Sequence, residues 1–159
     1  MGNKVIDQFN NRWKTTLFLF TQLPTAFFLG IRILNCTRFE SAISLPFTFR
    51  SKNPFKSVYF AAQTAAAEIS TGVLAIIALD GRKDVVMLVK SVQSTFPKKA
   101  TTNLIFRCIQ GDKIQMAVKE AIEGSDGVEV SIETFGYNTD NEIVSSYIFT
   151  WYFRKKQKI

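Results

Sequence analysis

The 159-residue sequence contains no histidine. A Ser-His-Asp triad, a Cys-His pair, histidine-ligated zinc and imidazole acid–base catalysis are all excluded by that one absence. Any hydrolytic chemistry must then rest on a carboxylate, a hydroxyl, a thiol, a lysine or backbone dipoles. Cysteine is scarce as well. Cys36 and Cys108 stand far apart, in no metal-binding spacing, and both fall in strand-like runs that suit buried, inert thiols. No metal site is expected. Only eight glycines and four prolines are present, so connections should be short and elements long. Low-complexity tracts and internal repeats are missing too, and the length fits one domain, residues 1–159, with a substantial core.

Charge is unevenly spread. The formal net charge is +7, and Arg154, Lys155, Lys156 and Lys158 supply four of it, leaving the body at +3. Residues 154–159 read as a basic, solvated tail, with phosphate contact as the sharper alternative. Basic residues interleaved with aromatics in an RNA-binding signature are not found, so no nucleic-acid partner is expected. Thr15 to Ile31 carries no charge, but it is short for a spanning helix and holds Thr, Gln and Pro24. The expected location is cytoplasmic, with no stable membrane insertion.

Residues 3 to 13 place Val5, Ile6, Phe9 and Trp13 at helical spacing, and Leu17 to Phe20 continue as a second short helix that Pro24 breaks or re-aims. With Ala26 to Leu29, residues 1–30 form a greasy helical arm. Ile31 to Phe39 and Ala42 to Arg50 read as two strands around Glu40-Ser41, the second alternating so that Ile43, Leu45, Phe47 and Phe49 share one face. Val85 to Phe96 and Thr101 to Gln110 suggest a hairpin turning at Pro97-Lys98-Lys99. Helical spacing returns between Gly111 and Gly124. Val128 to Tyr137 and Ile143 to Phe153 predict a last hairpin, with Tyr147, Phe149, Trp151 and Phe153 as an inward aromatic stripe.

Between Lys56 and Asp80 there is one charge, Glu68. The stretch is too long for a strand and rich in helix formers, and Asn53-Pro54 and Asp80-Gly81 bound it with turn signals. It reads as a long buried helix carrying one acid. Burying a carboxylate without a partner is costly, so Glu68 has either a partner or a task. Ala62, Ala66, Ile69, Val73, Ile76 and Ile77 form a broad apolar face, while Ala61, Ala65, Glu68 and Gly72 form a second stripe of small residues around the acid. Ser70 and Thr71 are near enough in sequence to hydrogen-bond that acid. The fold class is α+β: an antiparallel sheet, residues 31–153, wrapped around one long central helix.

This helix resembles the central helix of hot-dog-fold acyl-CoA thioesterases. Tyr59-Phe60-Ala61 occupies the place of the family's His-Gly-Gly-like triplet, and Glu68 falls on its catalytic acid, nine residues after the triplet begins. Asn53-Pro54-Phe55 is similar to the family's Asn-containing approach loop, and the strand order agrees along nearly the whole chain. The resemblance is nearest to an uncharacterised bacterial branch, a thioesterase-like domain of unknown function. That branch carries Tyr-Phe-Ala-Ala-Gln and Ala-Ala-Glu on the helix, a Pro-containing helical arm and a Leu-Gly-Ile strand entry, here Leu29-Gly30-Ile31. Tyr59 replaces the histidine, and Phe60 and Ala61 replace the glycines.

The resemblance implies that a backbone amide of Phe60 or Ala61 polarises the thioester carbonyl. Glu68 would act as general base or nucleophile, and Asn53 would orient the water or carbonyl. Tyr59, Gln63, Thr64 and Thr71 are candidates to line the substrate, and Lys98 and Lys99 to meet phosphates of coenzyme A, which enters as part of the substrate and not as a cofactor. Phe60 and Glu68 are eight residues apart, about 12 Å along a helix axis, too far for both to touch one carbonyl. The implied enzyme is therefore a homodimer, in some cases a tetramer, pairing one helix start with the acid of another copy. Three functions stay open: hydrolysis of a fatty or aromatic acyl-CoA; a non-catalytic module that binds an acyl or lipid ligand or serves as a dimerisation domain; and, as a third class, a basic lipid- or nucleic-acid-binding protein, whose salt-dependent binding would be lost with the tail.

Overall fold

The computed structural model describes residues 4–124 and 126–156. Lys158, part of the basic tail, lies outside them, as does residue 3. Three helices come first: α1 (Lys4–Phe9), α2 (Arg12–Gln22) and α3 (Pro24–Leu29). The single helix expected through residue 13 is divided. Asn11 caps α2, its side chain accepting from the amides of Trp13 and Lys14 at 3.1 Å each. Trp13 thus belongs to the second helix and points outward, away from buried Phe9. Pro24 opens α3, where its missing N–H costs nothing. Gly30 closes α3 at φ 77°, a left-handed conformation that glycine adopts freely.

Strands β1 (Arg32–Cys36) and β2 (Ser41–Leu45) follow, then the central helix α4 (Phe60–Leu79). The second strand stops earlier than its alternation suggests. Pro46 has no N–H for the ladder, the chain turns at Thr48–Ser51, and Phe49 is left exposed. The remaining elements are β3 (Val85–Thr95), β4 (Leu104–Cys108), α5 (Gly111–Glu123), β5 (Val128–Tyr137) and β6 (Ile143–Lys155). The six strands form one antiparallel sheet in the order β1-β2-β4-β5-β6-β3, curled around α4 as a hot-dog fold.

One pairing differs from expectation. β3 and β4 are not a hairpin: β3 pairs with β6 from Val85↔Lys155 to Thr95↔Ser146, and β4 lies between β2 and β5. The β5–β6 hairpin leaves the other edge of β6 open, and the long strand β3 fills it. Pro97-Lys98-Lys99 therefore begins a crossover. The tail also starts later, because Arg154 and Lys155 belong to β6.

Helix α4 is long and apolar enough to cross a membrane, with a mean hydropathy of 1.5, yet 72% of that window is buried against the rest of the protein. Its inner side packs on Tyr147, Phe149, Trp151 and Phe153 and on the buried residues of β2 and β4. Polar staples fix its rotation. Ser41 Oγ donates to Ser70 O at 2.6 Å, Ser70 Oγ lies 2.7 Å from Thr134 Oγ1, and Trp151 Nε1 donates to Thr71 Oγ1 at 2.9 Å. Each is buried, where an unmade bond would be costly. Both cysteines are buried free thiols on the sheet, and burial pushes each up to about 11.

Candidate active site

The loop before α4 is built around Asn53. Its Oδ1 accepts from the amides of Phe55 and Ser57, at 3.0 and 3.2 Å, and from Ser57 Oγ at 3.1 Å. The carbonyl end of Asn53 thus holds the loop together. Val58 N donates to Ala100 O at 2.8 Å and Tyr59 N to Ser51 O at 2.7 Å, which delivers the chain into the helix beside the segment carrying Lys98 and Lys99.

Tyr59 occupies the N-cap position without a side-chain cap. Among the described residues the amides of Phe60 and Ala61 have no acceptor, so the positive end of the helix dipole is open to an oxyanion or carbonyl. Aromatic rings surround that opening. Tyr59 meets Phe60 edge-on at 5.1 Å, Phe60 meets Phe96 at 6.5 Å, and Phe96 meets Tyr147 at 5.9 Å. Thr64 Oγ1 donates to Phe60 O at 2.9 Å and lies 3.4 Å from Tyr147 Oη. Burial pushes the Tyr147 hydroxyl up to about 12, so it stays protonated. Gln63 is buried, with Nε2 donating to Val58 O at 3.1 Å; its Oε1 has no partner among the described residues.

Glu68 stands two turns further along, half-buried, on the stripe with Ala61, Ala65 and Gly72. Among the described residues its carboxylate has no hydrogen-bond or ion-pair partner, and burial raises its pKa above the ordinary carboxylate range. Ser70 and Thr71 do not bind it. Ser70 turns toward Thr134, and the Thr71 hydroxyl donates to the main-chain carbonyl of Glu68 at 3.0 Å while accepting from Trp151. Thr71 is therefore a buried staple and not a wall of the opening.

Tyr59, Phe60, Ala61 and Thr64 gather at the helix start, while Glu68 stands apart from their amides on the same helix. Lys98 is exposed and pairs with Glu142 at 2.6 Å; Lys99 is exposed beside it. Phe96, Tyr147 and Trp151 are additions that sequence reasoning assigned only to strands or core. Their one sequence signal was the aromatic stripe on β6, which does not say which helical residues it meets.

A comparison with curated proteins returns no match. Solved structures do resemble the chain. A Pseudomonas aeruginosa protein of unknown function, described as a probable thioesterase, superimposes with a TM-score of 0.74 at 18% identity, over 89% of this chain and 93% of that one. A Haemophilus influenzae thioesterase gives 0.66 at 12% identity, over 89% and 90%. A Staphylococcus aureus thioesterase, solved as an alanine mutant, gives 0.62 at 14% identity, over 79% and 94%. At these identities the likeness establishes the fold. Residues 14–153 match the family described as a domain of unknown function, DUF4442, and the chain belongs to that family, with the hot-dog fold of thioesterase-like proteins.

Proposed function

We propose that the protein hydrolyses the thioester of a fatty or aromatic acyl-CoA. The observation that carries this reading is Glu68, a half-buried carboxylate without a partner among the described residues, on the least covered stripe of a helix otherwise packed in the core. The elevated pKa brings it toward the range useful to a general base near neutral pH. The thioesterase names of the structural neighbours support the same class of chemistry. The Staphylococcus aureus protein has been solved with alanine replacing a glutamine and, separately, a glutamate fifteen residues beyond it. Asn53 and Glu68 have that same separation here.

In the proposed reaction Glu68 takes a proton from water as the oxygen attacks the thioester carbon. The amides of Phe60 and Ala61 from a second copy hold the developing oxyanion. Collapse breaks the C–S bond, and the proton passes to the departing coenzyme A thiolate. Attack by Glu68 itself is the variant route, through an anhydride that water then opens. The second copy is required because one helix cannot bring both groups to one carbonyl. The outer edge of β3, unpaired among the described residues and exposed from Ser91 onward, is a surface on which two copies can join. Lys98 and Lys99, exposed near the helix entry, would meet coenzyme A phosphates, Lys98 by exchanging Glu142 for a phosphate. The protein is taken to work in the cytoplasm as a dimer or a pair of dimers.

A second reading, a module that binds acyl ligands without turning them over, is favoured by Phe60 alone. Its exposed ring stands where a glycine would admit substrate to the backbone. Release of free thiol from a panel of acyl-CoAs separates the two readings. Turnover that Glu68→Gln reduces by about a hundredfold or more supports hydrolysis. Acyl-CoA binding without turnover supports the module.

A further inference from the structure

We propose that the N-terminal arm is a docking surface for an anionic phospholipid bilayer. Helix α2 has two apolar stripes. One, with Phe18 and Leu19, packs inward. The other, Trp13, Leu17 and Phe20, follows the i, i+4, i+7 spacing of a single helix face and points away from the protein, 85%, 63% and 59% exposed. A core cannot account for the second stripe.

The surface continues beyond α2. Phe20 meets exposed Phe27 edge-on at 5.2 Å, and Phe28 is exposed beside it, with the Arg50 guanidinium 6.0 Å from its ring. Between α2 and β1 lies a concavity of about 740 Å³ that brings Trp13, Phe27 and Leu34 together with Arg12, Arg32 and Arg50. Among the described residues none of these arginines, nor Lys14, has a carboxylate partner. The sequence explains this, since Glu40 is the one Asp or Glu between Asp7 and Glu68.

Exposed aromatic and leucine side chains among unpaired arginines match a lipid interface, where rings enter the acyl boundary and guanidinium groups stay with the phosphates. The charge argues against a second copy of the chain as the occupant. A two-fold contact over this face would set the same unpaired cations against each other, without the carboxylates that a self-complementary interface needs. The surface is also anchored: Asn10 bonds both the N–H and the C=O of Cys36 at 2.9 Å, holding the arm on the outer edge of β1. This inference is independent of the hydrolytic reading.

The test is co-sedimentation of the full chain with vesicles of phosphatidylglycerol and phosphatidylcholine, against phosphatidylcholine alone, at low and high salt. Of the two tryptophans, Trp151 is buried and Trp13 exposed, so a blue shift of emission on binding reports Trp13. The expected result is salt-sensitive binding to the anionic vesicles with a blue shift. Leu17→Ser/Phe20→Ser and, separately, Arg12→Gln/Arg32→Gln/Arg50→Gln should each weaken it about tenfold or more. All five side chains are exposed, so unchanged melting temperatures show that the variants fold. Failure of the wild-type chain to bind anionic vesicles, equal binding to neutral ones, or binding that neither variant weakens overturns the proposal. Self-association that Leu17→Ser/Phe20→Ser abolishes, without vesicle binding, assigns the face to a second copy and overturns it too. No substrate is present, so an inactive enzyme leaves this result readable.

Discussion

Gly72 leaves room for the carboxylate of Glu68. A Cβ on Gly72, one helical turn further on, would lie 3.1 Å from Glu68 Oε1 and 3.6 Å from the Trp151 ring. The acid and the indole therefore converge on the space that this glycine keeps free. Trp151 is held there by its bond to Thr71, whose own hydroxyl bonds the Glu68 carbonyl.

Gly72→Ala separates stability from activity. Alanine is the better helix former by up to about 1 kcal/mol, and the flexible Glu68 side chain can yield by the few tenths of an ångström required. The melting temperature should hold or rise. The carboxylate, however, is displaced from its place beside Trp151, and thiol release should fall through kcat more than through KM. A variant that melts like the wild-type chain and turns over acyl-CoA at an undiminished rate would remove the positional argument for Glu68.

Glu68→Gln should stabilise the protein at neutral pH. Burial raises the carboxyl pKa in the folded chain, so the folded state holds the proton where the unfolded chain has lost it. Below the ordinary glutamate value of about 4.3, both states are protonated and no penalty exists. As pH rises from there through the elevated folded value, the folded state loses stability, and above it the loss is constant. Urea unfolding across this range should show the two proteins alike in acid and the glutamine variant ahead at neutral pH. If the wild-type chain hydrolyses acyl-CoA as proposed, the same ionisation should appear as a rate rising with pH through a pKa above the usual carboxylate range.

The central helix was legible because turns bound it on both sides and a run with a single charge fills it. The β5–β6 hairpin was legible for a similar reason, two alternating runs around Asn138 to Asn141. The partner of β3 was not. Alternation with period two says that a strand exists and which face is apolar, but Pro97-Lys98-Lys99 looks the same at a hairpin turn and at the start of a crossover. The division of the arm at Asn10-Asn11 was hidden because Asn11 caps the next helix while Trp13 keeps the spacing of the previous one. For the site, Glu68 and the helix start could be found along one helix. The convergence of Trp151 and Gly72 on the acid could not, since it depends on how a distant strand packs against that helix.

Cys36 and Cys108 should resist modification in the native protein. Both are buried, and both thiols are pushed up to about 11, so little thiolate forms at neutral pH. Titration with a disulfide reagent at pH 7 should find almost no reactive thiol in the folded chain and two after denaturation. Rapid labelling of a native cysteine would show that the sheet around it opens readily.

Asn10→Ala tests whether the arm is fastened to the sheet by one side chain. The carboxamide of Asn10 meets the backbone of Cys36 as a neighbouring strand would, donating to its carbonyl and accepting from its amide, both at 2.9 Å. Cys36 is almost completely buried, so the alanine variant leaves a donor and an acceptor there unsatisfied, at about 1–3 kcal/mol for such a group. The expected outcome is a lower denaturation midpoint with increased amide exchange in α1 and β1, while the amides of α4 stay protected. An aspartate at the same position keeps the acceptor for the Cys36 amide but cannot donate to the carbonyl, so its stability should fall between the two. Equal stability of all three proteins would mean that apolar packing of Phe9 and Leu19 holds the arm without help from Asn10.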